Sequence, residues 1–210
     1  GQVNLKNVAG FAAPGNLVIR GNTLDDDAVF IDNSATNFDG FRAVNINVVW
    51  RIEYLKIKVG NTNAGCIRSV GSGTTVQFNN LVFGGGGDAD LFAENGGTIS
   101  ATASNSVYAI DGGGDRHFQA RYGGSIATSG CTVTFRANCS YGTSGTNAFA
   151  YAGSLGMLRT FSMTFDLNGY TVTGKRYRAE TNGVIAVGSG GSSYFPGSAA
   201  GDVATGGQYG

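Results

Sequence analysis

The chain has 210 residues, of which 36 are glycine and 2 are proline, and its 14 basic and 14 acidic residues give a formal net charge of zero. A neutral chain lacks the positive charge of a nucleic-acid-binding protein, and no apolar run approaches the roughly 20 residues that a membrane span needs. No Gly-X-Y period is present, which excludes collagen, and 13 Phe and 9 Tyr residues can supply a core. Glycine between short β-branched and aromatic runs is typical of short strands joined by tight turns.

The N-terminal third contains the runs expected of strands. We expect residues 1–16 to form a lead-in segment or a degenerate first coil. Residues 17–19 and 29–31 are short apolar runs, and residues 41–48 and 50–59 alternate by twos over longer stretches. Period two over this length predicts strands with one face inside the protein.

A phrase that begins with alanine recurs along the chain. It reads Ala-Glu-Asn-Gly-Gly-Thr-Ile at 93–99 and Ala-Arg-Tyr-Gly-Gly-Ser-Ile at 120–126. It returns one residue shorter at 150–155 and in full at 179–185. Followed backwards, the position of the leading alanine is held by Ser69, Ala43 and Arg20. Recurrence at 23 to 30 residues indicates a stacked architecture, in which one unit cannot bury its apolar face alone.

Units of this length with two or three short strands predict a right-handed parallel β-helix of about seven coils over residues 17–191. Helical repeats are excluded because no stretch shows convincing i, i+3, i+4, i+7 apolar spacing. An antiparallel β-sandwich is the alternative, since glycine turns also punctuate sandwiches, but the in-phase Gly-Gly-x-Ile favours the β-helix. We expect the open ends of such a rod to belong to a longer structure or to be protected by symmetric association. Residues 192–210 are a Gly/Ala/Ser-rich C-terminal tail, expected to pack on a neighbouring subunit or to be mobile.

The turns that precede each alanine phrase are polar, and in a solenoid they stack into a ridge. The ridge is acidic in its middle and basic towards the C-terminus. Glycoside hydrolysis needs two carboxylates about 5 to 9.5 Å apart. The candidate catalytic residues are therefore Asp88, Asp90, Asp111 and Asp115. The same turns are also compatible with sugar binding without cleavage, or with solvated turns whose Asp side chains cap backbone amides.

A ridge that mixes acids, cations and aromatic rings has the side chains that bind sugars. The candidate ligand-binding residues are Asp111, Asp115, Arg116, His117, Tyr122, Lys175 and Arg176.

We expect neither a metal nor a cofactor. His117 is the single histidine, which excludes a site with two histidine ligands. The run 25–27 consists of three Asp residues, but it lacks the glycine and the terminal Glu of a calcium loop and reads as a solvated turn. No general base is evident beside a Ser or Cys nucleophile. Cys66, Cys131 and Cys139 form an odd set, and we expect buried free thiols.

The last part of the chain carries a resemblance to a known group of proteins. Asn-Gly-Val-Ile at 182–185, Ser-Ser-Tyr-Phe-Pro-Gly at 192–197 and the glycine-rich residues 198–210 together resemble the ending of phage and prophage tail-fibre and tailspike proteins of the β-helix kind. The resemblance implies a homotrimer that recognises bacterial surface glycans. It also implies a place in the virion among other virion proteins, after assembly in the host cytoplasm.

The resemblance carries over no catalytic residue. Tailspikes that cleave glycans usually have more coils and clustered acids, so the expected function is the receptor-binding or shaft portion of a fibre or spike, without enzymatic activity. One alternative is a glycan-degrading tailspike that uses the paired Asp residues. The other is a structural virion component, such as a head fibre, that binds no ligand.

Overall fold

The computed structural model describes residues 1–7, 16–60, 63–103 and 105–210. The part of the expected lead-in segment at 8–15 lies outside the described residues. The regular structure in the described part is β-strand throughout, and no helix there could span a membrane. The strands are β1 (Val3–Leu5), β2 (Asn16–Arg20), β3 (Phe30–Asn33), β4 (Phe41–Val44), β5 (Val49–Val59), β6 (Gly65–Val70), β7 (Thr75–Phe83), β8 (Ala89–Glu94), β9 (Thr98–Ala101), β10 (Val107–Ile110), β11 (Arg116–Arg121), β12 (Ser125–Ala127), β13 (Thr132–Phe135), β14 (Cys139–Ser140), β15 (Ala148–Gly153), β16 (Met157–Arg159), β17 (Thr164–Asp166), β18 (Val172–Thr173), β19 (Tyr177–Glu180), β20 (Val184–Ala186), β21 (Asp202–Val203) and β22 (Gln208–Tyr209).

The strands form a parallel β-solenoid of about seven turns, which confirms the predicted fold class and excludes the antiparallel sandwich. Face one is an eight-stranded sheet in the order β1-β4-β6-β8-β11-β15-β19-β21. A twelve-stranded sheet supplies two further faces. Face two contains β2, β9, β12, β16, β20, β22 and the first halves of β5 and β7, whereas face three contains β3, β10, β13, β17 and the second halves of β5 and β7. The pair β14-β18 completes the outline.

The corner between faces two and three lies inside β5 and β7. Tyr54 has a φ of 57° and Asn80 a φ of 46°, which is the left-handed region. Ile52 and Leu55 are both buried although they are three residues apart, so side-chain alternation shifts by one position across Tyr54. A left-handed residue therefore turns each long strand from one face to the next.

The recurring phrase is the turn from face one to face two. Its alanine points inward from face one, and its isoleucine points inward from face two. The inward row of face one is Ala43, Ser69, Ala93, Ala120, Ala152 and Ala179. The inward row of face two includes Val76, Ile99, Ile126, Leu158 and Ile185. Every member of both rows is fully buried, and burial of each large aliphatic side chain stabilises the fold by about 1.5–3 kcal/mol.

In five coils, two left-handed residues followed by one glycine make this turn. In one coil they are Tyr122 and Gly123, with φ values of 52° and 74°, followed by Gly124. A Cβ added at Gly124 would lie 2.3 Å from the backbone oxygen of Ala93 in the preceding coil. The same contact occurs at the corresponding glycine of four other coils, namely Gly97, Gly156, Gly183 and Gly207. The third position therefore needs glycine because the coils touch there through their backbones.

The register corrects two positions in the predicted repeat. The residue level with Ala120 is Ala152 and not Ala150, so the third phrase has full length. The pattern places it two residues early because Leu155 occupies a left-handed position that its residue type does not suggest. In the first coil, Leu5 and not Arg20 is level with Ala43.

The C-terminal residues continue the solenoid. β21 pairs with β19 and β22 pairs with β20, so the boundary expected at residue 191 does not appear in the strand pairing. Phe195 is fully buried, and the ring of Tyr209 stacks on Tyr177 with centroids 3.6 Å apart. Aromatic side chains give this Gly- and Ser-rich segment enough apolar area to form a further coil.

Candidate functional site

A concavity lies where the loop 21–29, between β2 and β3, folds against the corner of faces two and three. Its larger part encloses about 400 Å³ and its smaller part about 150 Å³, and both are lined by Asp26, Asn80 and Arg136. We call the whole the corner cleft. The larger part is also lined by Thr23, Leu24, Asp25, Asp27 and Tyr54, and the smaller part by Val107, Tyr108, Ala109 and Thr134.

Ion pairs hold the loop in place. Arg136 donates to both carboxylate oxygens of Asp26 at 2.9 and 3.1 Å and reaches Asp27 at 3.3 Å. Lys56 lies 3.5 Å from Asp27 and also donates a hydrogen bond to Asp111. The bond to Asp26 raises the pKa of Arg136, and the bond to Asp111 raises the pKa of Lys56. The two cations thus tie the N-terminal loop to coils far along the chain.

The floor of the cleft is set by the two left-handed corner residues. Tyr54 and Asn80 occupy the same place in successive coils, since Glu53 pairs with Asn79 and Leu55 with Leu81. Left-handed backbone is tolerated by Asn and is uncommon for a bulky residue such as Tyr. Both side chains line the cleft on a rigid part of the solenoid.

The three aspartates of the loop form a compact acidic group. One carboxylate oxygen from each of Asp25, Asp26 and Asp27 lies within 4.8 Å of the others. Asp27 donates its backbone N–H to Asp25 at 3.0 Å, as expected of a turn. Arg136 and Lys56 supply positive charge to two of the three carboxylates.

The structure places the predicted catalytic acids with separate partners. Asp88 is buried and accepts a hydrogen bond from Arg116, and burial raises its pKa. Asp111 is bonded to Lys56, and Asp115 accepts a hydrogen bond from Asn147 at 3.2 Å. Each of these carboxylates is engaged by a neighbouring side chain.

Asp90 lies inside the solenoid in a chain of polar side chains. Its carboxylate is 2.7 Å from Nδ1 of His117, whose Nε2 is 2.9 Å from the hydroxyl of Tyr108. The thiol of Cys66 lies 3.5 Å from the other carboxylate oxygen. Asp90, His117, Tyr108 and Cys66 are each at most 3% exposed. We call this set the buried polar array.

The buried polar array satisfies its own hydrogen bonds and is almost completely shielded from solvent. The two ring nitrogens of His117 contact the Asp90 carboxylate and the Tyr108 hydroxyl, so both nitrogens have a hydrogen-bond partner. Burial raises the pKa of Asp90, and the hydrogen bond from His117 opposes that rise. Because the array is enclosed, a polysaccharide cannot reach Asp90 or His117.

The expected side-chain ridge is largely a stack of glycine backbone. The Gly86 amide donates to the carbonyl oxygen of Gly113 at 2.6 Å. A Cβ at Gly85 would lie 2.3 Å from the carbonyl carbon of Gly112. The flanking Asp residues turn inward or bond neighbouring side chains, so they do not form an open acidic row.

The remaining predicted ligand-binding residues are dispersed. Arg116 is buried and also bonds Thr146 and Asn147. Lys175 pairs with Asp202 at 3.0 Å. Arg176 also lies near the C-terminal end, in the turn before β19. Tyr122 is 55% exposed but lies on the opposite ridge, between faces one and two.

Charged side chains on the outer surface of face one pair with one another. Phe92 is fully buried between the guanidinium groups of Arg68 and Arg121, at 4.4 and 4.7 Å from its ring centroid. Both arginines also bond Glu94. These two cations are therefore engaged by neighbouring side chains of the same face.

The three thiols are free and buried, as predicted. Burial raises the pKa of Cys131 and of Cys139 to about 12 and raises that of Cys66 as well. A thiol that stays protonated and enclosed is a poor nucleophile.

Sequence reasoning missed the corner cleft and the buried polar array. The array had a signal in the repeat, because Asp90 and His117 precede the paired residues Leu91 and Phe118 and are therefore level in adjacent coils. The cleft had none, because Asp26 and Arg136 are 110 residues apart. No protein-family model, curated protein or solved structure gives a match to the chain.

Proposed function

We propose that the chain is the receptor-binding portion of a phage fibre or spike, and that it binds a bacterial surface polysaccharide in the corner cleft. The observation that carries the proposal is the convergence of Asp25, Asn80 and Arg136 on a cleft of about 400 Å³. Carboxylate, amide and guanidinium groups can bond sugar hydroxyls in several directions, and polar groups converging on a concave site are typical of ligand recognition.

The smaller part of the cleft suits the apolar side of a sugar ring. Val107 and Ala109 line it beside the polar Thr134. A pyranose presents C–H groups on its faces and hydroxyl groups around its edge, so it pairs with such a mixed wall. A binding mode without cleavage is favoured because the four candidate catalytic acids are buried or engaged by other side chains.

A homotrimer in the virion is part of the same proposal. The solenoid presents long parallel sheets, and closed symmetric association of identical chains is the commonest kind of oligomer. Light scattering should then give three times the chain mass of 21.5 kDa. A stable monomer would refute the trimer and leave the cleft to be tested separately.

The binding test uses a panel of purified bacterial surface polysaccharides, with affinity read by calorimetry. Asn80→Gly removes one cleft side chain, and glycine accepts the left-handed φ of 46° without strain. Tyr122→Gly is the matched control, because it removes an exposed side chain at a φ of 52° on the other ridge.

We expect Asn80→Gly to weaken binding about tenfold, the effect of one lost hydrogen bond of about 1.4 kcal/mol. Tyr122→Gly should leave the affinity unchanged. Loss of binding in the Tyr122 variant alone would indicate that the binding site lies on the opposite ridge, between faces one and two. Absence of binding to every polysaccharide would favour the structural alternative, and release of reducing ends would favour the hydrolase.

A further inference from the structure

Three Asn-Gly dipeptides occur in the chain, and all three asparagines are exposed. They are Asn95-Gly96, Asn168-Gly169 and Asn182-Gly183. An asparagine followed by glycine is prone to loss of its side-chain amide. The backbone nitrogen of the next residue attacks the side-chain carbonyl carbon, and glycine has no Cβ to obstruct that approach. The three sites are chemically equivalent in sequence, so any difference between them must come from the fold.

The attacking amide is engaged at two of the three sites. Gly96 donates its N–H to the carbonyl oxygen of Tyr122 in the next coil at 3.1 Å. Gly183 donates to the carbonyl oxygen of Glu180 at 2.9 Å, and the preceding Asn182 amide is bonded to Thr205 in the next coil. At both sites the reacting nitrogen can move only if a hydrogen bond of the turn between faces one and two breaks.

The third site is different. Among the residues that the structure describes, the Gly169 amide has no hydrogen-bond acceptor. A Cβ added at Gly169 would meet no heavy atom within 4 Å, so the surroundings are open. Two hydrogen bonds within the turn hold it. The Tyr170 amide donates to the carbonyl oxygen of Leu167 at 2.8 Å, and the Asn168 amide donates to the carboxylate of Asp166 at 3.0 Å. It projects between β17 and β18, and neither Asn168 nor Gly169 makes a backbone bond to any described residue of another coil.

We propose that Asn168 is a site of spontaneous deamidation in the folded protein. The Gly169 nitrogen forms a bond to Cγ of Asn168, the bond from Cγ to the side-chain nitrogen breaks, and ammonia leaves with the proton from the glycine amide. The resulting five-membered imide then takes up one water molecule. Opening at one carbonyl gives aspartate, and opening at the other gives isoaspartate. No oxidant or reductant is needed.

The product differs from the original chain in charge and shape. A carboxylate appears at position 168, beside Asp166, and the formerly neutral chain gains one negative charge. The isoaspartate form also adds a methylene group to the backbone of a two-residue turn. Preparations of the protein should therefore become mixtures that separate by charge as they age.

The test is peptide mapping by mass spectrometry after incubation of the folded chain at 37 °C in mildly alkaline buffer. Asn168 should convert at least about fivefold faster than Asn95 or Asn182, which corresponds to about 1 kcal/mol for one backbone hydrogen bond. The Asn168→Ser variant should lose the early charge heterogeneity. The measurement follows conversion at each residue, so it does not depend on any ligand or oligomeric state.

A denatured sample provides the control. In concentrated urea the turn hydrogen bonds are absent, and the three sites should convert at similar rates. Equal rates at the three sites in the folded chain would overturn the proposal. So would a folded chain in which Asn95 or Asn182 converts first.

Discussion

Alanine substitutions at two adjacent glycines of one turn should differ in their effect on stability. Gly124→Ala places a Cβ 2.3 Å from the Ala93 oxygen and 2.4 Å from its carbonyl carbon. Gly123→Ala, one residue earlier, places a Cβ no closer than 3.9 Å to any other atom but must keep a φ of 74°. The first variant tests contact between coils, and the second tests only backbone conformation.

The expected losses in unfolding free energy differ about twofold. An ordinary contact is 3.4 Å or longer, so the alanine at 124 overlaps the preceding coil by about 1 Å. The overlapped atoms are backbone and cannot rotate away. Overpacking of this kind costs up to about 3 kcal/mol, and disturbance of one ladder hydrogen bond adds about 1 kcal/mol. Gly123→Ala should cost about 1–2 kcal/mol, the usual value for a left-handed L-residue.

Urea unfolding followed by circular dichroism compares the two variants. The midpoints are meaningful if the slope with urea stays constant, since a changed slope would indicate that the coils no longer unfold together. Gly124→Ala should lower the free energy of unfolding by about 3–4 kcal/mol, which is the cost of overpacking added to the cost of the disturbed hydrogen bond. Equal losses in the two variants would refute the argument that backbone contact fixes the coil spacing.

Three further predictions concern charge and burial. Burial raises the pKa of Asp90, so its contribution to stability is present below the ordinary pKa of 3.8 and is lost as pH rises through the folded-state pKa. Asp90→Asn should therefore make the urea midpoint fall less steeply with pH from pH 4 upward. An unchanged dependence of the midpoint on pH would contradict this. Arg136→Gln should lower the free energy of unfolding by only about 0.5–1 kcal/mol, because the ion pairs of Arg136 are partly exposed. The same variant should be cleaved faster by protease within residues 21–29. An unchanged cleavage rate would show that other contacts hold the loop. The thiols Cys131 and Cys139 should resist an alkylating reagent until urea unfolds the chain, since burial raises their pKa to about 12; labelling of the native chain would disprove enclosure.

The repeat could be predicted because its constraints are local. The alanine and isoleucine of the phrase point inward at fixed spacing from a glycine turn, so 93–99, 120–126 and 179–185 are recognisable by eye. The third copy was placed two residues early because Leu155 adopts a left-handed φ of 65°, a conformation that its residue type does not suggest.

The pattern places Asp90 level with His117, but it does not predict the direction in which each side chain points. A turn rich in Asp and Gly looks like an open acidic row, yet Asp90 points into the core while Asp111 bonds Lys56. The corner cleft depends on a loop that meets Arg136 across 110 residues, and no local pattern records that contact.

Parallel pairing in every coil also gives the rod a mechanical character. The backbone hydrogen bonds that join one coil to the next run along the long axis of the rod. An axial pull therefore loads all the hydrogen bonds between two paired strands together, whereas peeling loads them one after another. The rung between β5 and β7 joins eight residue pairs, but β21 and β22 are held by two pairs each. Under tension, the coils should therefore separate first at the pairs made by β21 and β22, while the rung between β5 and β7 stays joined.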